Sequence, residues 1–123
     1  MSNHKILIID DDAKNIFALT ATLRSRGYES TSATSAEEGI RMAAADPLTG
    51  IILLDMMMPG TDGYQALRMI RGHEQLQKLP VIAVTAQAMK GDKEKCLEAG
   101  ADDYISKPID VDRLMERLAH FLA

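Results

Sequence analysis

Short apolar segments alternate along this chain with longer segments in which apolar residues recur every three or four positions. Aliphatic runs without polar alternation are typical of strands buried on both faces of a parallel sheet, whereas the longer period indicates amphipathic helices. The predicted strands are residues 5–9, 28–31, 50–54, 80–85 and 104–106. This alternation predicts a doubly wound, three-layer α/β domain whose parallel strands are joined by right-handed crossovers.

Capping and stop signals set the bounds of the predicted helices. Ser35 and Glu38 have the spacing of a capping box, which opens a helix that ends before Pro47. Glycines such as Gly27 and Gly100 follow helical segments and mark the C-terminal ends of those helices. The other predicted helices are residues 14–26, 64–71, 88–99 and a last helix that begins near residue 110.

The composition is that of an ordinary globular domain with a mainly aliphatic core. A length of 123 residues suits one domain, and the net charge of −4 argues against direct binding of nucleic acid. The single cysteine, Cys96, excludes an internal disulfide and a cysteine-based metal site, and it fits a reducing cytosol. No apolar run approaches the length of a membrane span, and the N-terminus does not resemble a signal peptide. We therefore expect one cytoplasmic domain over residues 1–123, with no output domain and no membrane contact.

Polar side chains follow the predicted strands at the points where those strands end. They are Asp10, Asp11 and Asp12 after the first strand, Asp55 after the third, Thr85 on the fourth, and Ser106 and Lys107 on the fifth. In a parallel sheet these ends open on the same edge, where open α/β sheets bind their ligands. The sequence thus predicts a cleft that collects several carboxylates, a hydroxyl and an ammonium group.

These residue types indicate magnesium-assisted phosphoryl transfer. Close carboxylates raise each other's pKa values, and a hard divalent cation relieves their repulsion. Mg²⁺ takes oxygen ligands and often bridges protein carboxylates and a phosphoryl group. An ionised Asp beside that ion can attack phosphorus, while the Lys107 ammonium and the Thr85 hydroxyl can meet the charge of the transferred group.

Four stretches of the chain together resemble the receiver domain of two-component response regulators. They are residues 8–11 (IIDD), 54–63 (LDMMMPGTDG), 84–86 (VTA) and 99–108 (AGADDYISKP). The combination is specific and the similarity covers essentially the whole chain, although no single stretch would be sufficient. The resemblance implies a flavodoxin-like fold, with five parallel strands in the order 2-1-3-4-5 and five helices.

The resemblance also implies a role for each matching residue. Asp55 is the implied phosphoacceptor, Thr85 the switch hydroxyl and Lys107 the lysine that contacts the phosphoryl group. The implied ligands of Mg²⁺ (or Mn²⁺) are Asp10, Asp11, Asp55 and the backbone carbonyl of Met57, with Asp11 as the preferred direct ligand. Tyr104 matches an aromatic residue whose rotation reports activation, and the bond between Lys107 and Pro108 is usually cis in the family.

The implied partner is a histidine kinase or a histidine phosphotransfer protein that presents a phosphohistidine. The face made by predicted helix four, strand five and helix five is then expected to bind a downstream protein target. We expect a monomer or a weak phosphorylation-dependent dimer. We expect no enzymatic activity beyond the phosphotransfer to the chain itself and slow autodephosphorylation. Residues 85–92 look similar to receivers attached to hybrid histidine kinases, whereas Met1 favours a free-standing or N-terminal receiver.

Other functions are compatible with parts of the sequence. A small phosphatase of the haloacid dehalogenase type also has an Asp after an apolar strand and a second acid two residues on, as Asp10 and Asp12 would be. Lys14 departs from that motif, and the chain has no room for a cap domain. A non-phosphorylated interaction module would keep only the fold, and the intact acids argue against it. A flavodoxin is disfavoured because strand one leads into acids and not into a phosphate-cradling loop.

The three methionines at residues 56–58 are a further feature of the cleft. Thioethers prefer soft ions such as Cu(I), so we reject a methionine metal site in a cleft whose other donors are oxygens. Met58 is expected to pack inward, with Met56 and Met57 at the rim. The resemblance implies that the residues at the positions of Met57 and Gln87 tune the loss of the phosphoryl group. We hypothesise that the apolar Met57 slows this loss because it cannot orient an attacking water.

Overall fold

The computed structural model describes residues 4–59, 62–86 and 92–122, and within these ranges the chain forms five strands and five helices. The strands are β1 (Lys5–Ile9), β2 (Ser30–Ala33), β3 (Thr49–Asp55), β4 (Val81–Thr85) and β5 (Asp103–Ser106). The helices are α1 (Ala13–Ser25), α2 (Ala36–Ala45), α3 (Gly63–Gly72), α4 (Asp92–Glu98) and α5 (Val111–Leu122). Their strict alternation confirms the predicted α/β class.

The strands form one parallel sheet in the order β2-β1-β3-β4-β5. This is the flavodoxin-like order that the resemblance implied. The register pairs Ile9 with Leu54, so the acids that follow them, Asp10 and Asp55, lie side by side at the carboxyl edge of the sheet. The last residues of β4 and β5 are paired in the same way. Register alone therefore brings the predicted polar residues to one edge.

The sheet separates two apolar layers, because each strand sends alternate side chains to opposite faces. On one face, Leu7, Ile52 and Leu54 pack against buried residues of α2 and α3. On the other face, Ile6 and Leu53 pack against buried residues of α1 and α5. Strands that are covered on both faces account for the aliphatic runs without polar alternation.

Capping side chains open the helices as the sequence predicts. Ser35 Oγ accepts the Glu38 N–H at 3.2 Å, as in a capping box, whereas Glu38 Oε1 reaches back one residue beyond the cap and accepts the Thr34 N–H at 3.0 Å. Asp12 caps α1, because its Oδ1 accepts the Lys14 N–H at 2.9 Å. None of the helices in the described ranges has both the length and the hydropathy that crossing a membrane requires.

Apart from those of β2 and the start of α4, the predicted bounds lie within about one residue of the bounds in the structure. The strand predicted at residues 28–31 begins two residues later, because the Tyr28 N–H donates to the Leu23 carbonyl at 2.9 Å. That bond keeps Tyr28 in the turn after α1, where Gly27 has a φ of 86°. Helix α4 is described from Asp92, and its predicted start at residue 88 lies outside the described residues.

Candidate metal centre at the carboxyl edge of the sheet

Three carboxylates meet at the carboxyl edge of the sheet. Asp10, Asp11 and Asp55 each offer one oxygen, and these oxygens all lie within 4.8 Å of one another. Asp10 and Asp55 are buried whereas Asp11 is exposed, so the group is open to solvent on one side. Of the four acids predicted at these strand ends, the structure brings three together and uses Asp12 as a helix cap.

Short turns fix both of the buried carboxylates. Asp10 Oδ1 accepts the Asp12 N–H at 2.9 Å, and Asp55 Oδ1 accepts the Met57 N–H at 2.9 Å. An Asp that accepts a hydrogen bond from the backbone two residues on forms an Asx turn, which holds the carboxylate where the strand ends. The backbone therefore orients both acids before any ligand binds.

Lys107 brings a positive charge to this group of acids. Its Nζ lies 3.6 Å from Asp55 Oδ1, and the two side chains are 25% and 6% exposed. Burial raises the pKa of Asp10, the Asp12 N–H opposes that rise, and the charge of Asp55 adds to it while Lys107 counteracts it. The three carboxyl groups outnumber the one ammonium, and this all-oxygen donor set is of the kind that hard divalent cations prefer.

The remaining predicted residues lie at the ends of β4 and β5. Thr85 is buried, and its carbonyl accepts the Lys107 N–H at 2.7 Å, which ties the segment carrying the lysine to β4. The peptide bond between Lys107 and Pro108 is cis, as the resemblance implied. Tyr104 is half-buried and packs against the apolar layer that includes α2 and α3. The switch roles of Thr85 and Tyr104 stay predictions.

The three methionines after Asp55 divide between the core and the surface. Met57 is 44% exposed, as expected at the rim, and Met58 is 7% exposed, as expected of a residue that packs inward. The prediction for Met56 is wrong, because this residue is 8% exposed and belongs to the core. Its N–H donates to the Val84 carbonyl at 2.9 Å, which continues the strand pairing for one residue and turns the side chain inward.

A cavity of about 570 Å³ adjoins the acids. Asp10, Asp55 and Lys107 line one end, and mostly apolar residues of α1, of the central strands and of the start of α5 line the remainder. Asn15 on α1 also lines this cavity, and sequence reasoning missed it. Its place in the first turn after the acids was the only signal that could have indicated it.

The fold and the acid cluster together define a receiver-type signalling domain. A family model described as the response regulator receiver domain matches residues 6–119, and the chain belongs to that family. The predicted family is thus confirmed: the chain is a receiver domain of the kind found in two-component response regulators.

Named relatives agree with this assignment. Response regulator PleD of Caulobacter vibrioides is 40% identical over 114 residues, which cover 93% of this chain and 25% of PleD. This chain therefore spans about a quarter of the length of that relative. The polar-differentiation response regulator DivK of Brucella ovis is 34% identical over 117 residues, which cover 95% of this chain and 94% of DivK.

A solved receiver structure superimposes closely on this chain. The receiver domain of sensor histidine kinase PA1611 from Pseudomonas aeruginosa PAO1 has a TM-score of 0.86 and 37% sequence identity, with 97% of each chain covered. In that protein a magnesium ion is coordinated in the active site cleft. The similarity over nearly the whole chain confirms the fold that the sequence predicted.

Proposed function

We propose that Asp55 accepts the phosphoryl group from a phosphohistidine of a histidine kinase or a histidine phosphotransfer protein. One observation carries the proposal: Asp10, Asp11, Asp55 and the Lys107 ammonium converge on one edge of the sheet. Asp55 is the central acid of this group, because β3 lies between β1 and β4. Its carboxylate is buried, turned by the Met57 N–H and adjacent to a cation, which suits a nucleophile toward phosphorus.

Asp10, Asp11, Asp55 and the Met57 carbonyl are the proposed ligands of Mg²⁺ or Mn²⁺. The three carboxylate oxygens within 4.8 Å of one another support this set, as does the magnesium in the cleft of the PA1611 receiver. When bound, a divalent cation neutralises the acids and the developing charge on the phosphoryl oxygens. Asp10 and Asp55 need no rearrangement for this role, because backbone N–H groups already hold them.

In the proposed transfer, an Asp55 carboxylate oxygen forms a bond to phosphorus. The P–N bond of the phosphohistidine breaks, and its electron pair goes to the departing imidazole. Lys107 Nζ, now 3.6 Å from Asp55 Oδ1, then contacts the phosphoryl oxygens, and the Thr85 hydroxyl donates to another of them. In this role the chain catalyses only its own phosphorylation and slow autodephosphorylation.

The output of the proposed switch is a change on the face formed by α4, β5 and α5. Lys107 directly follows β5 and Thr85 ends β4, so both residues connect the acids to that face. Moving a two-state balance from 1:99 to 99:1 needs about 5.5 kcal/mol of differential stabilisation. Hydrogen bonds to charged groups contribute about 1.5–3 kcal/mol each, so two or three new contacts supply most of it. A downstream protein then binds the changed face, on which Tyr104 is the proposed reporter of activation.

The phosphatase alternative loses support at Asp12. In that alternative Asp12 would be the second acid of the motif, free to act on the leaving group. Its Oδ1 instead accepts the Lys14 N–H at 2.9 Å and caps α1, and Asp12 is not part of the acid cluster. The cap role accounts for this residue fully.

Intact-protein mass after incubation with acetyl phosphate tests the proposal. We expect one phosphoryl adduct that requires Mg²⁺, disappears with chelator and is absent from Asp55→Ala. Asp12→Asn is the matched control, because it removes a neighbouring charge while Asn still caps a helix well. An adduct that persists in Asp55→Ala would refute the proposed acceptor. If acetyl phosphate gives no adduct, a phosphorylated histidine phosphotransfer protein is the second donor, and failure with both donors would refute the proposed function.

A further inference from the structure

One methionine beside the acids is exposed while its two neighbours are buried. Met57 is 44% exposed, whereas Met56 and Met58 are 8% and 7% exposed. Within residues 4–59, 62–86 and 92–122, Met57 is the single exposed methionine. A thioether becomes oxidised when the oxidant reaches its sulfur, so exposure favours Met57 over both neighbours.

We propose that Met57 is a site of reversible oxidation at which a hydroperoxide shortens the lifetime of the phosphoryl group on Asp55. The inference rests on the proposed function, because it needs a phosphoryl group on that carboxylate. Two hydrogen bonds fix the backbone between these residues. The Met57 N–H donates to Asp55 Oδ1, and the Met56 N–H donates to the Val84 carbonyl, both at 2.9 Å. The exposed Met57 is therefore carried by backbone that is bound to the acceptor carboxylate.

The oxidation needs only the thioether and the hydroperoxide. A sulfur lone pair attacks one peroxide oxygen, the O–O bond breaks and an S–O bond forms. Sulfur loses two electrons and the peroxide gains them, and the displaced oxygen takes the proton of the transferred one and leaves as water or an alcohol. The product is methionine sulfoxide, which sulfoxide reductases convert back to the thioether.

Conversion of Met57 to the sulfoxide adds a hydrogen-bond acceptor at the rim of the cleft. Thioether sulfur is a weak hydrogen-bond acceptor, whereas a sulfoxide is polar and presents an oxygen. Met57 lies two residues after Asp55, so its sulfoxide oxygen can accept a hydrogen bond from a water molecule. This bond holds the water beside the phosphoryl group. Orientation of the attacking water lowers the barrier to hydrolysis. One neutral hydrogen bond corresponds to a rate ratio of about fivefold.

Peptide mapping after graded doses of hydrogen peroxide tests the site of oxidation. We expect the sulfoxide of Met57 to form before those of Met56 and Met58. Met57→Leu, treated in parallel, identifies the Met57 signal because it removes the sulfur and keeps an apolar side chain of similar size. Oxidation of Met56 or Met58 at the same rate as Met57 would overturn the inference.

Decay of the phosphoryl adduct tests the consequence of oxidation. Wild type and Met57→Leu are oxidised or left untreated, labelled with acetyl phosphate and Mg²⁺, and followed by intact mass, each against its own untreated sample. We expect peroxide to shorten the wild-type lifetime about fivefold and to leave that of Met57→Leu unchanged. Methionine sulfoxide reductase should restore the wild-type lifetime, and Met57→Gln, with a permanent acceptor, should decay fast without peroxide.

The outcomes separate this inference from the proposed function. If oxidised wild type forms the adduct and loses it at the untreated rate, the inference is wrong and the proposed function stands. An equal response of Met57→Leu to peroxide would assign the effect to another residue and would likewise overturn the inference. If untreated protein takes no phosphoryl group from acetyl phosphate or from a phosphohistidine donor, both fail together.

Discussion

Lys107 Nζ lies 3.6 Å from Asp55 Oδ1, and the backbone N–H of the same lysine donates to the Thr85 carbonyl at 2.7 Å. The lysine is thus anchored to β4 while its charge faces the acid at the end of β3. Since Asp55 is also grouped with Asp10 and Asp11, Lys107 partly neutralises the cluster in the metal-free protein. A divalent cation at the proposed site would compensate the same negative charge, so Lys107 and the cation would share one balance of charge at the cluster.

The first prediction follows from that balance. Lys107→Met should destabilise the metal-free protein by about 1–2 kcal/mol, because a buried carboxylate loses its adjacent cation. Mg²⁺ should then stabilise the variant more than it stabilises wild type. Urea unfolding with Mg²⁺ and with chelator measures both effects, and Lys78→Met is the control because Lys78 is exposed and outside the acid cluster. Equal Mg²⁺ effects in Lys107→Met and wild type would contradict the prediction.

The second prediction concerns the metal ligands. Mg²⁺ should stabilise wild type by about 2.7 kcal/mol at a hundredfold excess over its dissociation constant. Asp11→Asn should lose most of this stabilisation, because an exposed carboxylate of the cluster becomes neutral. Asp12→Asn should keep it, because Asp12 serves as a helix cap. Thermal unfolding with and without Mg²⁺ distinguishes the two variants, and a melting temperature indifferent to Mg²⁺ in wild type would argue against the whole site.

The acid cluster could be predicted because its signal is local to each strand. Asp10 and Asp55 directly follow aliphatic runs, and parallel strands present such positions on one edge. The strand order itself came from the family resemblance, since alternation of elements leaves several orders possible. Whether Met56 faces the core or the rim of the cleft depends on one further hydrogen bond to β4. Its apolar side chain alone does not indicate which of the two it faces.

The contacts of Arg71 could not be read from the sequence at all. Its guanidinium donates to the carbonyls of Leu79 and Gly100 and to Asp102 Oδ2, at 2.7, 2.9 and 2.7 Å. Two of these acceptors are main-chain carbonyls in connecting segments, and any residue type offers a carbonyl there. The sequence shows only an arginine near the end of a predicted helix, which is an ordinary surface position.

The third prediction tests this role of Arg71. Arg71→Ala should lower the free energy of unfolding by about 2–3 kcal/mol, because it removes several hydrogen bonds that join α3 to the segments around β4 and β5. Arg71→Lys should recover only part of this loss, since one ammonium cannot span the same acceptors. Arg68→Ala, at an exposed position one turn earlier on α3, is the control for helix propensity. A loss no larger than that of Arg68→Ala would show that the network adds nothing.

The fourth prediction concerns the rate at which the phosphoryl group is lost. Met57→Asn should shorten its lifetime about fivefold, because an amide oxygen or N–H can orient the attacking water and a thioether cannot. Met57→Leu should not shorten the lifetime, since it introduces no polar group. The adduct formed with acetyl phosphate and Mg²⁺ is followed by intact mass after the donor is removed. An unchanged lifetime in Met57→Asn would remove the basis for a tuning role at this position.

The last prediction concerns pH and the opposite edge of the sheet, where Asp46 Oδ2 accepts from Lys5 Nζ at 3.3 Å. The pKa of Asp46 is lowered by the Leu48 N–H and by Lys5, and the pKa of Lys5 is raised by Asp46 and Glu29. The Asp46 contribution to stability is therefore present above its ordinary pKa of 3.8 and is lost as pH falls through the lower folded value.

The Lys5 contribution also stabilises the fold, but it depends on pH in the opposite direction. It is present below the ordinary pKa of 10.5 and is lost as pH rises through the higher folded pKa. Wild type should therefore exceed Asp46→Asn in urea stability by an amount that is constant near neutral pH and shrinks below about pH 4. The double variant Lys5→Met/Asp46→Asn, compared with Lys5→Met, isolates the part due to the ion pair. Since the amide introduced by Asp46→Asn would still accept the Leu48 N–H as a neutral group, equal stability of wild type and Asp46→Asn at every pH would mean that the hydrogen bond, and not the charge, carries the stabilisation.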